Sequence, residues 1–92
     1  MATWRSHIDA LAFQPDGRQE YCVVHRRAFR TLLGFDPTPE ECESFFRANR
    51  AAFEAAASAK IDEKNIAGGL NFHLTSRDVA RQLRLATPCR VG

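Results

Sequence analysis

Residues 70–79, Leu-Asn-Phe-His-Leu-Thr-Ser-Arg-Asp-Val, hold a strand signal that passes directly into a helix signal. Over 70–74, apolar and polar residues alternate, which is the period-two pattern of a strand with one buried face. Thr75 is placed to cap a helix with Asp78 at the N3 position, and the leucine before the cap can pack on Val79 in the next turn. The segment therefore predicts a strand followed at once by a helix, and the rest of the chain must supply partners for that strand.

The partner strands are predicted upstream, over 8–24, as a hairpin around Pro15-Asp16-Gly17. Proline followed closely by glycine favours a chain reversal between two extended runs. Leu11 and Phe13 share one face of the first strand, which must pack on a helix. The other face of the sheet is expected to be apolar as well and to carry Ala10, Ala12, Cys22 and Val24.

Two helices are predicted between the hairpin and the last strand. Residues 25–33 form a short amphipathic helix, with Gly34 at the left-handed position that ends it. Thr38-Pro39-Glu40-Glu41 predicts the start of a long helix, because the threonine and the last glutamate can satisfy each other's backbone amides in a capping box. Apolar residues then recur at helical spacing over 42–59, and Gly68-Gly69 sets the last point at which this helix can end.

These elements predict an α+β fold. A small three-stranded sheet, made of the hairpin plus the later strand, packs on one long helix and two shorter helices. The 92 residues suffice for one domain. We place that domain over 1–87, with 88–92 as a flexible tail.

The composition is that of a folded intracellular protein. Hydrophobic residues make up 45% and charged residues 26% of the chain, unlike a disordered sequence. No apolar run approaches the roughly 20 residues that a membrane-spanning helix needs, and residues 1–13 lack the features of a secretory signal. Cys22, Cys42 and Cys89 are an odd number at wide spacing, which favours free thiols. We therefore expect a cytoplasmic protein that does not bind membranes.

Three short motifs carry a family resemblance: a cysteine before the first helix, Phe-Arg-Ala-Asn-Arg in the long helix, and Leu-Thr-Ser-x-Asp at the last junction. The residues concerned are Cys22, Phe46, Asn49, Arg50, Leu74, Thr75, Ser76 and Asp78. In these residues, and in the order of its elements over about 8–79, the chain resembles the bacterial domain-of-unknown-function family 1488. It departs from that pattern by continuing past Asp78 with an arginine-rich helix. The resemblance implies an α+β fold and no known activity, so it transfers no catalytic residue.

Side chains capable of chemistry are present but scattered. A zinc site usually shows two close ligand pairs, whereas Cys22 and His25 are the one close pair here, and His7, His73 and Cys89 lie apart. His25 is expected to begin the first helix, and His73 to lie on the polar face of the last strand. The sequence has no G-x-S-x-G motif that would position a serine nucleophile. It also has no glycine-rich loop at the start of a helix that would bind a phosphate. We therefore expect no metal, no cofactor, no small-molecule ligand and no catalysis.

Arginine is the residue type that points to a binding partner. On the last helix, Arg77, Arg81 and Arg84 fall at i, i+4 and i+7 and form one stripe opposite the apolar side. A second cluster lies on the first helix and consists of Arg26, Arg27 and Arg30. If the two helices pack on the same side of the sheet, the clusters form one basic surface that can meet nucleic-acid phosphates. Two simpler alternatives stay open: solvated helix faces, or the arginine bias of a GC-rich genome.

A protein partner, including a second copy of this chain, is the leading prediction. Seven phenylalanines, one tryptophan and one tyrosine are a heavy aromatic load for a small domain, and an apolar second sheet face needs a cover. Asn49, beside Arg50, lies within the apolar stripe of the long helix, where its amide either bonds nearby backbone or pairs across an interface. The sequence thus predicts a non-catalytic protein-interaction module, with nucleic-acid binding through the arginine-rich helix faces as the alternative.

Overall fold

The computed structural model describes residues 2–64, 66 and 71–86 and has the predicted α+β class. Its elements are β1 (Ala2–Arg5), β2 (Ala10–Phe13), β3 (Cys22–His25), α1 (Arg26–Leu33), α2 (Pro39–Ala48), α3 (Arg50–Lys64), β4 (Phe72–Leu74) and α4 (Ser76–Ala86). The strands form one mixed sheet in the order β1-β2-β3-β4. The predicted tail over 88–92 lies outside the described residues, as do Leu70 and Gly68-Gly69.

The sheet has one strand more than the three that the sequence predicts. β1 pairs antiparallel with β2, with Trp4 opposite Leu11. Trp4 is half-buried against the core, whereas the other three residues of β1 are exposed. The prediction of three strands is wrong because a four-residue strand with a single inward side chain leaves no alternating pattern to detect.

β2 and β3 form the predicted hairpin, but their register corrects the predicted faces. Leu11 lies opposite Val24 and Phe13 opposite Cys22, with 14–21 as the connecting loop. Directly opposite residues point to the same side of a sheet. Cys22 and Val24 therefore lie in the core beside Leu11 and Phe13, and all four are at most 1% exposed. The expectation that Cys22 and Val24 lie on the second face is wrong.

All four helices contribute to the core on one face of the sheet. Across the strands, the opposite face carries one row of Thr3, Ala12, Val23 and His73 and a second row of Arg5, Ala10 and His25. The two alanines are small enough to be buried between their longer neighbours. This open face is therefore largely polar at its surface, not apolar as the sequence predicts.

The predicted long helix is two helices, α2 and α3, which meet at Asn49. The backbone of Asn49 leaves the helical region, with φ −123° and ψ 30°, and its side-chain amide donates to the Phe45 carbonyl at 3.0 Å. Asparagine side chains compete with helical hydrogen bonds in this way, which accounts for the break. Across the break, the rings of Phe46 and Phe53 lie 5.1 Å apart between centroids, which joins the two helices in one aromatic cluster.

The helix ends that depend on local caps lie where the sequence predicts them. The Thr38 hydroxyl accepts from the Glu41 amide at 3.2 Å, and the Glu41 carboxylate accepts from the Thr38 amide at 2.9 Å. Gly34, with φ 83°, ends α1. These signals involve neighbours in sequence only, so no tertiary contact is needed to place them.

Candidate functional site

Two helices begin at the same edge of the sheet, the edge formed by the carboxyl ends of β3 and β4. β3 and β4 lie side by side and run parallel, and each leads directly into a helix. His25 is both the last residue of β3 and the N-cap of α1, while Thr75 stands between β4 and α4. Ligands of open sheets bind outside the carboxyl ends of parallel strands, where the first turns of the following helices point their amides. A cavity of about 310 Å³ lies at this edge.

The cavity gathers cationic side chains from three elements. His25 comes from the end of β3, Arg27 from the first turn of α1 and His73 from β4. The rings of His25 and His73 lie 4.8 Å apart between centroids, with an angle of 44° between their planes. The cavity thus holds one permanent cation beside two imidazoles that can take up protons.

The charge state of His25 depends on these neighbours. Burial lowers the pKa of His25, and His73 and Arg27 lower it further, against an opposing effect of Asp9. Protonation of His25 is therefore unfavourable, first because burial removes the charged imidazole from water and then because the neighbouring positive charges repel the added proton. An anion in the cavity would reverse this balance.

A second cavity, of about 420 Å³, continues from the first between α1 and α4. The two cavities share Thr31 and Ser76 among their lining residues. Arg77 and Arg84 line the second cavity, over a floor that includes leucines from both helices. We call the two cavities together the α1–α4 groove; its basic side chains are His25, Arg27, His73, Arg77 and Arg84.

The lining of the α1–α4 groove contains no aspartate or glutamate among the residues that the structure describes. Arg27, Arg77 and Arg84 also form no ion pair with any described residue. Asp78, which follows Arg77 in the chain, does not line the groove; its carboxylate accepts from Lys60 at 2.8 Å and from the amide of Thr75, a lining residue, at 2.9 Å. The groove is therefore a locally positive surface on a chain whose net charge is only +2.

The structure divides the six predicted arginines instead of placing them on one surface. α1 and α4 do pack together, as the nucleic-acid prediction requires. Arg26 and Arg81, however, lie in ion pairs away from the groove, and Arg30 is exposed outside its lining. Successive residues of a helix project in different directions around its axis. Only part of each predicted arginine cluster therefore reaches the groove.

Arg26 has a structural role. Its Nε donates to both carboxylate oxygens of Asp9, at 3.0 and 2.8 Å, and its Nη1 donates to Asp36 at 3.1 Å and to the Pro37 carbonyl at 3.2 Å. The hydrogen bond with Asp9 raises the pKa of the Arg26 guanidinium. Asp9 itself has a positive φ of 54° in the turn before β2. Arg26 therefore ties this turn and the α1–α2 connection to the start of α1.

Asn49 and Arg50 also make local contacts outside the groove. The Asn49 amide is satisfied by the Phe45 carbonyl, which is the nearby-backbone alternative that the sequence left open. Arg50 donates to Glu54 at 3.2 Å and lies 3.8 Å from Asp16. Neither residue lines a cavity together with His25 or the groove arginines. Their contacts fit a role in joining α2, α3 and the 14–21 loop.

The thiols of Cys22 and Cys42 are free and buried. Burial raises the pKa of both, that of Cys42 to about 11, so both stay protonated at neutral pH. A buried, protonated thiol is a poor nucleophile and metal ligand. Cys89 lies outside the described residues.

Sequence reasoning missed the His25–His73 pair. Each histidine was placed correctly, His25 at the start of α1 and His73 on the polar side of β4. Their proximity follows from the parallel pairing of β3 and β4, which puts Val23 opposite His73 and leaves His25 diagonal to it. The signal was the occurrence of a histidine near the end of each of two strands that are followed by helices.

No family model, curated protein or solved structure matches this chain, and the resemblance to family 1488 stays a prediction. Over the described ranges, no group of three or more histidine, cysteine, aspartate or glutamate side chains is placed to hold a metal ion. Within the same ranges, no helix combines the length and apolar character needed to cross a bilayer.

Proposed function

We propose that the protein binds nucleic acid without catalysis, through the phosphate backbone, in the α1–α4 groove. The observation that carries this proposal is the groove lining: three arginines and two histidines, with no carboxylate among the described residues. Arginine is suited to this role because its planar guanidinium offers a fork of donors to phosphate oxygens.

Local charge matters more than net charge for such binding. Cations concentrated in a cleft attract a polyanion and displace its condensed counterions, even on a nearly neutral protein. Arg77 and Arg84 are about two helical turns apart on α4, which is about 10 Å along the helix axis. Both arginines line the same cavity, so both can contact phosphates of one backbone.

The floor of the groove suits a nucleotide strand as well as its charges do. Leu32 and Leu83 line it beside Ala80, with the hydroxyls of Thr31 and Ser76 at the junction of the two cavities. Apolar surface can pack on sugars and base faces, while hydroxyls can donate to phosphate or ribose oxygens. The sequence-tolerant character of these contacts favours binding without a strong base preference.

The same geometry removes one argument for the leading sequence prediction, a protein-interaction module that can self-associate. That prediction relied on an apolar second face with Cys22 and Val24, and both residues lie in the core. The open face instead presents Thr3, Arg5 and His73, all exposed. Self-association stays a prediction, but the surface that argued for it has a different composition.

The test is a salt titration of oligonucleotide binding. Binding is measured by fluorescence anisotropy with single-stranded and duplex probes. We expect binding at low salt, with a slope of log K against log salt of about −2 for a single strand held by three arginines. The double variant Arg77→Gln/Arg84→Gln should reduce affinity about 5- to 10-fold and flatten the slope by about 1 to 1.5, since each lost phosphate contact removes its counterion release.

A charge-matched control is available in the same chain. Arg47→Gln/Arg81→Gln removes two exposed arginines that point away from the groove, one next to Ser44 on α2 and one 3.7 Å from Glu63. This control should keep most of the affinity. Absence of binding at low salt, or equal losses in the two double variants, would contradict the proposal.

A further inference from the structure

We propose that the His25–His73 end of the groove is a seat for a terminal phosphate monoester, so that the protein recognises the end of a nucleic-acid strand. This inference rests on the proposed function of the groove and names the part of the ligand that this end takes. The juxtaposition that carries it is the cavity of about 310 Å³ in which His25, Arg27 and His73 converge from three elements.

The charge of the cavity suits a monoester better than a diester. A phosphate monoester carries about −1.5 to −2 at neutral pH, whereas each internal diester carries a single negative charge. Arg27 supplies one permanent positive charge, and His25 and His73, with ring centroids 4.8 Å apart, supply up to two more on protonation. A dianion can hold both imidazoles in their charged form, which a single negative charge does less well.

The cavity also offers donors that the protein leaves unused. The Ser76 hydroxyl lines it and has no hydrogen-bond partner among the described residues. The first turn of α1 opens at the same place, with no side-chain cap and no acidic residue, although its first amide, that of Arg26, already donates to the Asp9 carbonyl at 2.9 Å. Thr75, by contrast, is occupied, because its hydroxyl donates to the Asp78 carboxylate at 2.9 Å.

Charged groups around His25 leave room for an anion. Arg27 on α1 is a permanent cation, the His73 imidazole on β4 carries no negative charge, and the acidic neighbour is Asp9 in the turn before β2. Asp9 is already held by the Arg26 guanidinium through both oxygens. An arriving phosphate therefore meets the Arg27 guanidinium, which has no ion-pair partner among the described residues, and two imidazoles that can take up protons.

The seat is tested first with inorganic phosphate alone, by following the imidazole resonances of the intact protein in NMR. Phosphate should move the resonances of His25 and His73 and raise the pKa of His25 by at least half a pH unit. His7 is the internal control, because it is exposed beside a different cavity and should not respond. If phosphate moves none of the three, or moves His7 as much as the other two, the seat is wrong.

The second test uses oligonucleotides of one sequence that carry a 5′-phosphate, a 3′-phosphate or hydroxyls at both ends. At least one phosphorylated end should bind about 10-fold tighter than the hydroxyl form near pH 6.5, the effect of one further charge-assisted contact. Arg27→Gln and His73→Gln should each remove most of that preference, whereas His7→Gln should keep it.

The outcomes separate the seat from the groove. Equal affinity for all three ends, with binding still sensitive to Arg77→Gln/Arg84→Gln, would overturn the seat and leave nucleic-acid binding standing. Phosphate-dependent shifts of His25 and His73 without any oligonucleotide binding would support an anion seat but overturn its assignment to a strand end, together with the proposed function.

Discussion

α1 and α4 begin at the same edge of the sheet after parallel strands, but their first turns are completed in opposite ways. In α4, the Thr75 hydroxyl accepts from the Asp78 amide at 3.2 Å, and the Asp78 carboxylate accepts from the Thr75 amide and from Lys60. In α1, the N-cap is His25, its side chain makes no capping bond, and the first turn contains no acid. The α4 start is closed by side chains, whereas the α1 start has no side-chain cap and has only its Arg26 amide bonded, to the Asp9 carbonyl at 2.9 Å.

Two positions account for the difference. The α4 start reads Thr-x-x-Asp over 75–78, and the α1 start reads His-x-x-Ala over 25–28. A capping box contributes to stability because it satisfies amides that the helix cannot, whereas an uncapped first turn leaves them for solvent or a ligand. The α4 start therefore stabilises the fold, whereas the α1 start lacks a side-chain cap, as the proposed binding of an anion there requires.

The largest expected effect is at the closed start. Asp78→Ala removes the cap partner of Thr75 and leaves the half-buried Lys60 ammonium without its carboxylate, so we expect a loss of about 2 kcal/mol in the free energy of unfolding. Urea denaturation measures it. Asp62→Ala is the matched control, because its pair with Arg18 is exposed, and it should cost below about 0.5 kcal/mol. Equal losses would contradict the structural role of the α4 cap.

A smaller effect of opposite sign is expected at the open start. His25→Ser places a good N-cap residue on backbone that already has the required extended geometry, φ −72° and ψ 152°. We expect a gain of about 0.5–1 kcal/mol in the free energy of unfolding, together with weaker binding of phosphate-terminated oligonucleotides.

His73→Ser is the control for this variant, because it removes the other imidazole of the pair without creating a cap. It should weaken binding without the gain in stability. A His25→Ser variant that loses stability and keeps its affinity would break the division between a stabilising start and a binding start.

The smallest effect is the pH dependence of the open start. The folded-state pKa of His25 is lowered from its usual value of 6.5, so the unfolded chain binds more protons between the two pKa values. The stability that His25 contributes is therefore present above about pH 6.5 and is lost as pH falls below it. Thermal unfolding at pH 7.5 and 5.5 should show this loss in the wild type and a smaller one in His25→Ser. Added phosphate should reduce it, because a bound anion raises the pKa.

The Asp78 carboxylate titrates in a different range. Burial acts to raise the pKa of Asp78, but the hydrogen bonds from Lys60 and Thr75 more than offset it and hold that pKa below the usual 3.8. The contribution of the α4 cap is thus complete above about pH 4 and is lost only as pH falls through the lowered pKa. Over pH 5.5–7.5 the difference in unfolding free energy between the wild type and Asp78→Ala should therefore stay constant. The contribution of His25 should change over the same range, so one pH series distinguishes the α4 start from the α1 start.

What the sequence could predict follows from how local each signal is. The caps at Thr38 and Thr75 and the left-handed Gly34 depend on residues within one turn, and all three lie where expected. The strand pairing depends on register, which the 14–21 loop does not fix from sequence. Cys22 and Val24 were therefore assigned to the wrong face.

The candidate site was predictable in part for the same reason. The arginines of α4 could be found from helical spacing, and Arg77 and Arg84 do line the groove. Arg26 could not be separated from Arg27 by spacing, because its role depends on Asp9 and Asp36, which lie on either side of it in the chain. The histidine pair required the parallel pairing of β3 and β4, a contact between segments far apart in sequence.

The walls of the α1–α4 groove come from segments that α2 and α3 separate along the chain. β1, β2 and β3 pair with sequence neighbours, so this part can form early, whereas β4 and α4 join only after a long loop is closed. We therefore expect the groove to be complete only once α4 docks on α1. A ligand that bridges the two helices would bind only the completed fold. By linkage, it should therefore oppose the detachment of α4 from the rest of the domain. Hydrogen exchange of the α4 amides, with and without oligonucleotide, would show that coupling directly.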